Sequence, residues 1–153
     1  MIKKKYEKKS FESDMSSSDT SANIYESMLT SDAWKSLTSN QKALYQACKA
    51  QYYAEKKKPF DNREYFTMNK SKWMGKYGLY NKGNEGGFYR DISALIEKGF
   101  ISCISTGAFS RTKSIYSFSD KWKKYGTPEF SISHEEMNLR LMRKLRKEQN
   151  ERE

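Results

Sequence analysis

The stretch Asn84–Ser105, NEGGFYRDISALIEKGFISCIS, decides how the rest of the chain is read. Phe88, Ile92, Leu95 and Ile96 stand at i, i+4, i+7 and i+8. That spacing returns to one side of an α-helix, so a helix with a single apolar face begins near Asn84. Gly99 ends it, because glycine takes the left-handed conformation that closes a last turn. Phe100–Ser105 then puts Ile101 and Cys103 on one face of a strand. Gly86 and Gly87 fit the first turn awkwardly, since each costs about 1 kcal/mol relative to alanine in a helix. Two readings stand. The glycines let backbone amides approach a phosphate, or the helix starts later, near Phe88, and they belong to the loop.

Working downstream, residues 106–111 form a turn and Lys113–Phe118 a second strand, with Tyr116 and Phe118 sharing a face. Trp122 closes the domain, and residues 125–128 read as a linker. Working upstream, Asn69 caps a helix from Lys70 to Tyr77, and Gly78 suits the residue after its last turn. The loop at 81–84 joins that helix to the next. Residues 65–68 are a short strand. Thr38-Ser39-Asn40-Gln41 is a capping box that starts a helix running to about Glu55, with Leu44, Ala47, Cys48 and Tyr52 on one face. Lys56-Lys57-Lys58-Pro59 ends it. A short helix over Asp32–Ser36 carries Trp34 as its anchor.

The resulting order is helix, strand, helix, turn, helix, hairpin. The expected fold class is α+β: a winged helix-turn-helix with a three-helix core and a wing of two to three strands, over residues 31–126. Residues 1–27, rich in Lys and Ser, read as a disordered tail. Ser133-His134-Glu135-Glu136 opens a charged helix over residues 133–153, with Met137, Leu141 and Leu145 as a narrow stripe. That stripe offers three fates: a homodimer, packing against its own domain, or fraying.

Charge separates these regions. The chain has 153 residues and a formal net charge of +10. Residues 31–126 hold 18 Lys and Arg against 8 Asp and Glu, whereas both flanks balance to zero. The excess therefore sits on the expected globular part, and a basic surface attracts polyanions.

Three stretches resemble a known group. They are Ala33-Trp34-Lys35-Ser36-Leu37-Thr38 with Gln51-Tyr52-Tyr53, then Phe88-Tyr89-Arg90-Asp91-Ile92 through Ile101, then Arg111-Thr112-Lys113-Ser114-Ile115-Tyr116 through Trp122. Over residues 33–122 the chain is similar to small winged-helix proteins carried on plasmids and conjugative elements of Gram-positive bacteria. The resemblance implies a double-stranded DNA partner at a transfer or replication origin, or at a promoter. It leaves open whether the role lies in conjugation, replication or transcription regulation, and whether further proteins join the DNA-bound complex.

With the apolar stripe turned inward, the third helix shows Asn84, Glu85, Tyr89, Arg90, Ser93 and Glu97 on its other side. Arg90 suits the two acceptors of a guanine edge, and Asn84 the donor–acceptor pair of adenine. Tyr89 and Ser93 reach phosphates or bases. Lys70, Ser71 and Lys72 at the start of the second helix, and Lys82 in the turn, are expected on the phosphate backbone. Arg111 and Lys113 flank the wing tip, where a minor groove favours cations. The alternative for each lysine is a solvated surface charge, and for the domain a protein–protein adaptor built on the same scaffold.

Other chemistry finds little support. His134 is the single histidine and stands in the C-terminal segment. Cys48 and Cys103 lack metal-ligand spacing and have apolar neighbours, which reads as core in a reducing compartment. No cofactor, metal or catalytic pairing is expected, and the chain reads as a non-enzyme. No run approaches the roughly 18 apolar residues of a membrane helix, and no signal peptide is visible, so the expected localisation is cytoplasmic.

Overall fold

The computed structural model describes residues 9–16, 19, 21–51, 65–68, 70–105 and 114–132. The expected wing tip, the expected C-terminal helix and the expected run of the first long helix beyond Gln51 fall outside these residues. Four α-helices are present among those described: α1 (Glu26–Leu29), α2 (Asp32–Lys35), α3 (Ser39–Ala50) and α4 (Glu85–Glu97). A π-wound segment, Ser71–Lys76, precedes α4. Three strands, β1 (Tyr65–Thr67), β2 (Ile101–Ser105) and β3 (Ile115–Phe118), form one antiparallel sheet in the order β1-β3-β2. The chain is therefore α+β.

Local capping sets the helix starts. The Thr38 hydroxyl accepts from the Gln41 amide at 3.3 Å, and Gln41 Oε1 accepts from the Thr38 amide at 3.0 Å. Both orphan amides of that turn are thus satisfied, as the motif requires. The hydroxyl of Ser31 does the same for α2 by accepting from the Trp34 amide.

The first long helix is described as far as Gln51. Regular winding stops at Ala50, and Gln51 caps it. Gln51 is buried, its Nε2 donating to Met68 Sδ and its Oε1 accepting from Lys72. The helix expected at Lys70–Tyr77 is wound more widely. Its Tyr77 amide donates to the carbonyl of Lys72, five residues back. Gly75 inside it lowers the preference for regular winding. Gly78, at φ +60°, then reverses the chain as its position suggested.

The region before Ser31 is not structureless throughout. Glu26–Leu29 forms α1, and Ile24 and Met28 pack against the core. Two short apolar side chains in a Ser-rich stretch gave no periodicity to read. At the other end, residues 125–130 are a compact set of turns rather than an open linker. Thr127 Oγ1 donates to the Lys124 carbonyl at 2.6 Å, and Tyr125 meets Phe130 edge-on at 5.4 Å.

The core is largely aromatic. Trp34, Tyr45 and Phe100 meet edge to face, with centroids 5.3–5.9 Å apart. Phe66 of β1 stacks on Phe118 of β3 at 4.7 Å, across the sheet. Trp73 stacks on Phe88 at 4.7 Å and joins the π-wound segment to α4. Such pairs add about 0.5–1.5 kcal/mol beyond area burial. Leu44, Ile92, Leu95 and Ile101 fill the space between these rings and are fully buried. Cys48 is buried and free, as a small core residue.

Candidate functional site

Helix α4 organises the site because it has two unlike sides. Phe88, Ile92, Leu95 and Ile96 are buried, as their spacing requires. Asn84, Glu85, Tyr89 and Arg90 are exposed, and Ser93 is half-buried with its hydroxyl donating to the Tyr89 carbonyl at 2.8 Å. Tyr89 leans edge-on against Phe88 at 5.3 Å, which holds its ring outward.

The two glycines belong to the helix, which begins at Glu85. The loop alternative is thus overturned. A Cβ on Gly87 would fall 2.5 Å from Asn84 Oδ1, so glycine is what lets the Asn84 amide fold over the first turn. Asn84 occupies the cap position, yet its side chain makes no capping hydrogen bond. Gly86 faces open space.

The basic residues around the start of α4 have different surroundings. Lys82 is exposed in the turn between Asn81 and Asn84, and Ser71 is exposed at the start of the π-wound segment. Lys70 is exposed and forms an ion pair with Glu85. Lys72 turns inward: its amine donates to Gln51 Oε1 at 2.6 Å and to Thr67 at 3.4 Å. That amine serves the join between α3, β1 and the π-wound segment, which is a different task from holding phosphate. Arg111 and Lys113 lie outside the described residues. Across residues 70–90 the chain carries five basic residues and one acid, Glu85.

Beneath Arg90 lies a feature the sequence reading missed. Asp91 is buried, with Oδ2 accepting from the Tyr80 hydroxyl at 2.5 Å and Oδ1 from Gln41 Nε2 at 3.3 Å. Burial, reinforced by the hydrogen bond to Asp91, pushes the Tyr80 hydroxyl well above its ordinary value, while the Arg90 charge acts the other way. Tyr80 therefore stays protonated and acts as a donor. A helical position three residues from Phe88 and four from Leu95 marks Asp91 as inward-facing, which was the available signal.

Among the described residues no three His, Cys, Asp or Glu side chains gather to hold a metal ion. Nor is any helix there long and apolar enough to cross a membrane. No family model, curated protein or solved structure matches the chain.

Proposed function

We propose that the protein binds double-stranded DNA through a winged helix-turn-helix, with α4 as the helix that enters the major groove. The carrying observation is the two-sided character of α4. One side is locked into an aromatic core, and the other presents Tyr89 and Arg90 beside exposed Lys70 and Lys82. A guanidinium on a fixed helix face suits a guanine edge. The element order and the sheet order β1-β3-β2 support the winged-helix reading, with β2 and β3 as the wing hairpin. The exposed Lys70, Lys76, Lys82 and Arg90, set against Glu85, support a polyanionic partner. On the resemblance, the duplex would be an origin or promoter of a mobile element, and the protein its regulator or accessory factor.

Fluorescence anisotropy of the full chain with a labelled mixed-sequence duplex tests this. Binding should appear at low salt and weaken steeply on raising it. The slope of log K against log salt should approach about −0.9 per phosphate contacted. Absence of binding to any duplex at low salt would overturn the reading. Preference for single strands or RNA would redirect it.

A further inference from the structure

Asp91 follows Arg90 in α4 but stands about 100° further round the helix, inside the protein. Its carboxylate takes hydrogen bonds from two other elements: Tyr80 in the segment leading to α4, and Gln41 in the first turn of α3. Gln41 is itself fixed, since its Oε1 is held by the Thr38 amide and only Nε2 is left to face Asp91. The three residues therefore make a clasp between the cap of one helix and the middle of another.

Apolar packing alone would not supply what this clasp supplies. Burial of Phe88, Ile92 and Leu95 fixes which side of α4 faces inward, but apolar attraction has no preferred direction. Two directional bonds to one carboxylate set the helix's roll and its shift along its own axis. Arg90 is the next residue, so its direction from the surface is set by the same two bonds. Base-edge recognition needs the side chain held within about 0.5 Å and 10–20° of its working geometry. Phosphate contacts by lysine tolerate far more.

We infer that Asp91, held by Tyr80 and Gln41, is a positioning residue that fixes the orientation of Arg90 for reading bases. The inference rests on the duplex-binding reading given above. It makes the buried clasp a determinant of sequence preference, although none of its three members reaches DNA.

The test uses the full chain and the variants Asp91→Asn and Tyr80→Phe. Sites are selected from a random duplex library with the unaltered protein, and affinity is then measured on the selected duplex and on a scrambled one. Both variants should lower the selected-to-scrambled ratio tenfold or more. Their scrambled-duplex affinity and salt slope should stay as they were, since no phosphate contact is lost. Tyr80→Phe keeps the ring and decides the matter if Asp91→Asn does not fold. Phe66→Leu, a core change in β1 where Phe66 stacks on Phe118, should lower stability and leave the ratio intact. An unchanged ratio in folded Tyr80→Phe, or an equal loss on both duplexes, would overturn the clasp alone. Failure of the unaltered protein to prefer any duplex would overturn both the clasp and the reading beneath it.

Discussion

Lys70 and Glu85 form an ion pair that joins the start of the π-wound segment to the first turn of α4. Both side chains are about half exposed, so the pair itself contributes no more than ~1 kcal/mol to folding. Its larger consequence is for binding. On the duplex-binding reading, the Glu85 carboxylate opposes a phosphate approaching Lys70. Glu85→Gln should raise affinity for two unrelated duplexes several-fold at low salt, with the gain shrinking as salt rises. Anisotropy titrations check this, and an unchanged or weaker affinity on both would contradict it.

Lys72 and Lys82 should separate cleanly. Lys72→Ala removes the donor that Gln51 and Thr67 share, so the urea midpoint should fall. Its salt slope should match the unaltered protein. Lys82→Ala should leave the midpoint alone and make the slope shallower by about 0.9. The reverse pattern would mean that the inward lysine is the one facing DNA.

The glycines divide in the same way. Gly99 sits at φ +84°, and a Cβ there would lie 2.6 Å from the Trp122 amide nitrogen. The Lys121–Trp122 backbone leaves no room, so Gly99→Ala should destabilise by more than about 2 kcal/mol. Gly86 is helical and faces open space. Gly86→Ala should stabilise by up to about 1 kcal/mol. Denaturant unfolding measures both.

Stability should fall in alkali. Burial pushes the Cys48 thiol and the Tyr45, Tyr80 and Tyr116 hydroxyls up, so all four stay neutral while folded. The unfolded chain ionises at about pH 8.5 for the thiol and about pH 10 for tyrosine. Raised folded values mean stability fully present below those points and lost as pH climbs past them. Each group contributes a decline of about 1.4 kcal/mol per pH unit. The urea midpoint should hold to about pH 8, slip above it, and drop steeply past pH 10. Tyr116→Phe should make that last drop shallower.

What the sequence disclosed was local. The stripe Phe88–Ile92–Leu95–Ile96 and the Thr38–Gln41 box need only neighbours within a few turns, and both stand in the structure as read. Gly78 and Gly99 likewise reverse the chain where their positions imply. The misses are long-range. The bond from Lys72 to Gln51 joins residues 21 apart, beyond any spacing rule. Helical spacing marks Asp91 as inward-facing, but its partner Gln41 is 50 residues off and no spacing rule links them. The widened winding at Ser71–Lys76 has no spacing signature, since Gly75 within it only weakens regular winding.

The central claim is that the outward face of α4 reads base edges in a duplex, with Arg90 as its chief contact. Selection from a random duplex library, run side by side with the unaltered protein and with Arg90→Ala, tests it most directly. The unaltered protein should enrich one short motif containing a guanine. Arg90→Ala should lose preference at that guanine, at about 1–3 kcal/mol of discrimination, and keep the flanking pattern. Recovery of no motif by the unaltered protein, or of the same motif by both, would contradict the claim.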